Sequence, residues 1–274
     1  MHHPTPRRTF ARLLALATLP MALIGCLPGE TPPRTPPTTA ADDPWIPLFN
    51  GKDLTGWYPF FPKAGKTDPL KCFTVHDGMI HFLDLAPGTT TEIGYLATEK
   101  SYSNFHLRFE LKWGTKQFPP RASGARDSGC LYLFTGNDKV WPSSLEMQLT
   151  ERLFGDLYIL NNAYAMQTTV QSTTPRQKIF APQTAAGVPY TFAGGFLQRS
   201  ETADSLTDWN TIEIIVRGNS ATQIVNGKTL MHVDNITTRA TPDNPALPIT
   251  EGRIGFQCQG AEMYLRNLQL KQLN

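Results

Sequence analysis

The chain alternates between apolar and polar positions. In His106–Trp113, Leu107, Phe109, Leu111 and Trp113 fall on one side of an extended segment, and His106, Arg108, Glu110 and Lys112 fall on the other. That is the two-residue period of a half-buried β-strand. The same period runs through Gly78–Leu83 after the turn pair Asp77-Gly78, and through Trp209–Arg217, Gly252–Gln259 and Met263–Leu270. Gly218-Asn219-Ser220 predicts a hairpin between Trp209–Arg217 and Ala221–Val225, and Asn226-Gly227 predicts a tight turn before Lys228–Val233. No long segment has a helical period, Leu149–Leu153 offering a turn or two at most, and there is no repeat of fixed length. Many strands with turn-rich connections predict an all-β fold, a two-sheet antiparallel jelly-roll sandwich. The Gly- and Pro-containing stretch Ala163–Gly195 is expected to be a long loop that builds or covers a site.

The N-terminus departs from this pattern. Arg7, Arg8 and Arg12 precede the apolar run Leu13–Ile24, with no acidic residue before Glu30. This reads as an export signal, too short for a membrane span. Leu23-Ile24-Gly25-Cys26 resembles a bacterial lipoprotein signal, which makes Cys26 the lipidated mature N-terminus, and Arg7-Arg8-Thr9-Phe10 resembles a twin-arginine signal. Residues 1–26 are thus expected to be a leader, 27–44 a Pro/Thr-rich tether unable to bury a core, and 45–274 one large β domain. The expected location is the bacterial cell envelope, lipid-anchored and facing the periplasm or the surface, with membrane contact only through the lipid.

Charge and cysteine content narrow the function. The formal net charge is +2, and the three arginines of the leader account for more than all of it, leaving −1 for the rest. A near-neutral mature chain gives no electrostatic case for nucleic acid. After Cys26 only Cys72, Cys130 and Cys258 remain; their spacing fits no zinc pattern, and Cys130 and Cys258 read as small buried apolar residues.

Candidate chemistry gathers in Val140–Tyr158. Leu145, Met147 and Leu149 would point one way in a strand, with Glu146, Gln148 and Thr150 the other way. A carboxylate and a carboxamide side by side could line a groove that grips sugar hydroxyls, or could face solvent. Gln257 and Gln259 share the face opposite Ile254, Phe256 and Cys258, and an amide offers both donor and acceptor. Trp141 and Tyr158 could stack on a pyranose ring, core packing being the default for a tryptophan.

The runs FNGKDLTGW (Phe49–Trp57), ELKWGTKQFPPRASGARDSGCLY (Glu110–Tyr132), VWPSSLEMQL, GDLY, DWN (Asp208–Asn210), GRIGFQCQG and LRNLQL resemble, in order, the 3-keto-disaccharide hydrolase-like family. The resemblance implies a concanavalin A-like jelly roll with a carbohydrate groove on the concave side of one sheet. It also implies cleavage of glycosidic bonds in sugars oxidised at C3, by hydrolysis or β-elimination. Two positions depart from the family. Gln259 stands where relatives often carry the histidine of an L-Q-x-H-G motif, and Tyr132-Leu133 stands where they often read Y-H.

A ketone at C3 acidifies the C2 hydrogen, so such a site needs a base, a donor for the enolate oxygen and an acid for the leaving oxygen. Glu146 is the first candidate for the base or for a metal-binding carboxylate. Asp127 could contact ligand or cap a turn with Ser128, and Asp156 is equally ambiguous. Arg126 could stabilise an enolate or pair locally. A divalent cation held by Glu146, Asp127 and backbone carbonyls is an open option, and the scattered His76, His81, His106 and His232 read as surface or turn residues. The alternative to an enzyme is a non-catalytic, lectin-like carbohydrate-binding module.

Overall fold

The computed structural model describes residues 44–174, 177–182 and 187–274. The leader, Cys26 and the tether through residue 43 lie outside the described residues. In chain order the strands are β1 (Ile46–Pro47), β2 (Trp57–Phe60), β3 (Phe73–His76), β4 (Met79–Phe82), β5 (Gly94–Thr98), β6 (Tyr102–Ser103), β7 (Phe105–Gln117), β8 (Gly129–Thr135), β9 (Ser143–Gln148) and β10 (Leu157–Leu160). They continue as β11 (Tyr164–Thr174), β12 (Gln177–Phe180), β13 (Val188–Phe192), β14 (Gly195–Leu197), β15 (Asn210–Arg217), β16 (Ser220–Val225), β17 (Lys228–Thr238), β18 (Glu251–Cys258) and β19 (Ala261–Gln272). The larger sheet runs β12-β11-β17-β16-β15-β7-β19-β4-β3, with β13 added on β11 and β1 on β19. The smaller runs β14-β10-β9-β8-β18-β5-β2, with β6 added on β18. The described residues contain no helix, so none is long and apolar enough to cross a membrane. The expected all-β, two-sheet antiparallel sandwich is the fold found.

The alternation read from the sequence is the alternation of the core. Phe105, Leu107, Phe109, Leu111 and Trp113 of β7 are buried while His106, Arg108, Glu110 and Lys112 face outward. Cys130, Leu145, Met147, Ile254, Phe256 and Cys258 of the smaller sheet join them in one apolar cluster. Phe109 and Phe256 meet edge-on across the two sheets at 4.9 Å. Each large side chain so buried contributes about 1.5–3 kcal/mol by leaving water. Cys72, Cys130 and Cys258 are all buried free thiols. The hairpins after Arg217 and Val225 form as the turn residues require.

Two expectations are corrected. Ala163–Gly195 contains β11, β12 and β13 rather than one long loop. Its inward face is Tyr164, Met166, Thr168 and Val170, all buried, and Thr168 fills an apolar slot because its hydroxyl donates to the His232 carbonyl at 2.6 Å. That polar residue in a core position masked the period. His81, read as a surface or turn residue, is also buried, at 8% exposure.

A bulge in β8 explains Leu133. Opposite β18, Leu131 pairs with Gly255 and Phe134 with Arg253, so β8 carries one extra residue there. Tyr132 and Leu133 consequently both turn into the main core, while Leu131 and Phe134 lie in the second apolar cluster on the opposite face.

Candidate functional site

Because Leu145 and Met147 face the core, Glu146 and Gln148 face away from it. Strand pairing then builds a row across the outer face of the smaller sheet: Tyr58 pairs with Ala97, Ala97 with Gly255, Gly255 with Leu131, Leu131 with Glu146, and Glu146 with Tyr158. Beside it, Phe60, Tyr95 and Gln257 are successive partners, and Gly129 pairs with Gln148. One end of this face is polar, with Glu146, Gln148, Gln257 and Gln259. The other is aromatic, with Phe60 stacked on Tyr95 at 5.2 Å and Tyr95 edge-on to Phe134 at 5.4 Å.

Gly129 makes the polar end compact. A Cβ there would stand 2.2 Å from Glu146 Oε1 and 2.7 Å from Gln257 Oε1. Only a residue without a side chain lets the acid and the amide lie across β8. The Ser128 hydroxyl, donating to the Gln257 carbonyl at 2.8 Å, ties β8 to β18 beneath them.

Glu146 is 3% exposed. Burial pushes its pKa up to about 8, and the nearby Gln257 amide and Arg121 guanidinium only partly oppose this. The carboxyl is therefore mostly protonated at neutral pH. Gln257 and Gln259 are equally buried, and Gln259 Nε2 donates to Gln257 Oε1. Gln257 Nε2 and Gln259 Oε1 are left without a partner of hydrogen-bond geometry. Turning both amides over exchanges the atoms but still leaves one donor and one acceptor open. Two such buried groups cost about 1–3 kcal/mol each unless a ligand or water completes them.

Tyr158 stacks on Phe196 with ring centres 5.2 Å apart, so one of its faces is already covered. Burial first, then the Asp156 and Glu146 carboxyls, raise its pKa, keeping the phenol neutral beside Glu146. At the aromatic end, the Tyr58 and Tyr95 hydroxyls donate to Asp138 Oδ1 at 2.6 and 2.8 Å. Lys66 and Arg253 also pair with Asp138. There the face opens into a cleft of about 550 Å³ lined in part by Lys66, Phe134, Asp138 and Arg253. Along β18 this cleft begins two residues, or about 7 Å, from the Gly255–Leu131–Glu146 row.

Three residues read as site candidates have other partners, and a fourth is exposed. Arg126 donates to Glu151 Oε1 at 2.7 Å and to the carbonyls of Gly114 and Leu206, and lies over the Trp113 ring. It is a structural clamp, remote in role from an enolate. Asp127 accepts from Thr150 and pairs with Arg121 instead of capping a turn with Ser128. Asp156 is buried and held by the Arg199 backbone and guanidinium, each at 2.9 Å. Trp141 is 38% exposed. Sequence reasoning missed Arg121, the cation that does act on Glu146. Its loop position carries no periodic signal, and Asp127, six residues on, is its partner.

At the polar end Asp127 is paired with Arg121 and the other groups beside Glu146 are amides, a poor donor set for a divalent cation. Among the described residues the one cluster of three ligand-type side chains is His81, Asp84 and Glu262, elsewhere.

The fold and face together are those of a two-sheet antiparallel jelly roll with an acid, amides and aromatic rings on one sheet face. A family model for the 3-keto-α-glucoside-1,2-lyase-like domain matches residues 44–271, and the chain belongs to that family. None of the curated proteins matches it. Among solved structures, two candidate glycosyl hydrolases from Parabacteroides distasonis are similar. One has 18% identity, covering 84% of this chain and 100% of that one, with a TM-score of 0.50. The other has 20% identity, covering 84% and 94%, with a TM-score of 0.48. A Bacillus licheniformis β-glucanase aligns at 13% identity over 86% of this chain and 100% of its own, with a TM-score of 0.44.

Proposed function

We propose that the protein cleaves 3-keto-glycosides on the outer face of the smaller sheet, with Glu146 as the base. The observation that carries this reading is a buried carboxyl with a pKa of about 8 next to an open amide donor and an open amide acceptor. A base poised near the working pH transfers protons well in both directions. Ionised Glu146 takes the C2 proton. The electron pair delocalises onto the C3 oxygen, which accepts a hydrogen bond from the open amide donor of the Gln257–Gln259 pair. Collapse of the enolate forms the C1–C2 double bond and breaks the C1–O bond. The neutral Tyr158 hydroxyl protonates the departing oxygen. Water adding across the double bond completes a net hydrolysis; without it the enzyme is a lyase. The aromatic end and its cleft would receive the rest of the substrate.

Incubating a 3-keto-glucoside with the protein in deuterated water tests this. Loss of the C2 hydrogen to solvent, read as deuterium at C2 of a hydrated product or as a C2 bearing no hydrogen in an unsaturated one, supports the reading if Glu146→Gln abolishes it; a released sugar that keeps its original C2 hydrogen sinks it. A second reading, a lectin-like module, has one point in its favour: Gln259 and core-facing Leu133 stand where, by the resemblance, relatives often carry histidines. Binding without exchange or release would select it. The proposed setting, a cell envelope reached through a lipid on Cys26, rests on the sequence of residues 1–47, and labelling with a radioactive fatty acid, lost in Cys26→Ala, would test it.

A further inference from the structure

The outer face of the larger sheet holds a second buried carboxyl, three residues beyond Gln259. Between the β7–β19 pairs Gln117–Ala261 and Trp113–Met263, β7 carries two extra residues. The bulge frees two backbone N–H groups, and Glu262 Oε2 accepts both, from Thr115 at 2.8 Å and Lys116 at 3.1 Å. A Cβ on Gly114 would lie 2.2 Å from that oxygen, so glycine is required there too. Glu262 Oε1 is thereby aimed outward, 3.1 Å from His81 Nε2. The His81 ring is fixed by stacking on Tyr264 at 4.2 Å, and its Nδ1 faces Asp84 Oδ2 at 3.7 Å. One ligand atom from each of His81, Asp84 and Glu262 lies within 4.8 Å of the others.

We propose that His81, Asp84 and Glu262 bind a divalent transition-metal ion of the zinc type, in competition with the Lys116 ammonium. Two ligand atoms on one tetrahedral zinc stand about 3.4 Å apart, given bonds of about 2.1 Å. The 3.1 Å between His81 Nε2 and Glu262 Oε1 needs little adjustment. Lys116 marks where positive charge is wanted: its Nζ is 2.7 Å from Asp84 Oδ1 and 3.5 Å from Glu262 Oε1. Lys116 and Asp84 are the exposed members, so the lysine can swing out and the aspartate can close on the ion, while His81 and Glu262 are buried and preset. The carboxylate oxygens serve either class of cation, and the imidazole nitrogen favours zinc, nickel or copper over calcium or magnesium. The fourth position is left to water.

The full chain, dialysed free of metal, is titrated with zinc chloride by calorimetry beside His81→Gln and Lys116→Met. The expected result is one zinc per chain, at least about tenfold weaker in His81→Gln and tighter in Lys116→Met. Circular dichroism confirms that each variant is folded; if His81→Gln is not, the sign of the Lys116→Met change decides alone. No zinc binding by the wild type, affinity unchanged by both variants, or binding seen only in Lys116→Met would each overturn the proposal. The last outcome would make the lysine the permanent occupant.

Discussion

Glu146 and Glu262 sit on opposite outer faces of one sandwich, and both are 3% exposed. Their charges differ. Burial carries Glu146 up to about 8 because only an amide and a guanidinium oppose it. Burial would raise Glu262 too, but the Lys116 and Thr115 N–H groups and His81 outweigh it, and its carboxyl is held below the usual range. Similar exposure therefore goes with a neutral acid in one place and a carboxylate in the other, because Glu146 lies deeper and loses more solvation while Glu262 is better supplied with partners. Part of the difference lies in the backbone: β7 bulges to offer Glu262 two donors, whereas regular pairing of β8 and β9 at Glu146 leaves no free N–H to offer. A carboxyl kept short of partners stores the capacity to react; one fully supplied is part of the frame.

Removing each acid would break this contrast most sharply. Glu146→Gln should lower kcat by about 10²–10⁴-fold while the protein folds at least as well as wild type. Its stability should also lose a pH dependence. A carboxyl whose folded pKa is raised favours folding at low pH, and that advantage is lost as pH climbs from the ordinary value, 4.5, to about 8. Chemical denaturation at pH 5 and pH 9 would show a smaller difference in Glu146→Gln than in wild type. Glu262→Ala should do the reverse. It strands two N–H groups and an imidazole, costing about 3–5 kcal/mol in urea denaturation, yet turnover per folded molecule should hold. Stability from Glu262 is present above the ordinary carboxyl range and fades as pH falls through its depressed value.

Smaller changes sharpen the same comparison. Gly129→Ala forces Glu146 and Gln257 off β8 and should cost about 1–3 kcal/mol, with activity falling further than stability. Tyr158→Phe keeps the stack on Phe196 but removes the proposed acid. Turnover should fall about tenfold for a poor leaving group such as a sugar and scarcely change for nitrophenol, as parallel kcat measurements would show.

The fold was legible because large apolar residues at every second position leave few alternatives. Phe105 to Trp113 on β7 and Ile254 to Cys258 on β18 needed nothing else. The outward direction of Glu146, Gln148, Gln257 and Gln259 followed from the same rule. What periodicity could not carry was depth and partnership. Whether an outward-facing side chain meets water or other residues depends on loops, and both Glu146 and His81 proved buried. Arg126 and Arg121 flank one loop, but only the folded chain shows that the first is bound to Glu151 and the second reaches Glu146. The Glu262 site was invisible for a similar reason, since it depends on a bulge that no local sequence signal announces.

The claim that Glu146 is a base primed by burial is tested most directly by the pH dependence of kcat/KM. The substrate would be a chromogenic 3-keto-glucoside, with wild type and Glu146→Gln compared from pH 5 to pH 10. The account predicts that wild-type activity rises with pH and levels off above about 8, while Glu146→Gln shows neither the activity nor the rise. A wild-type profile that falls through this range, or a Glu146→Gln variant that keeps wild-type rates, would contradict it.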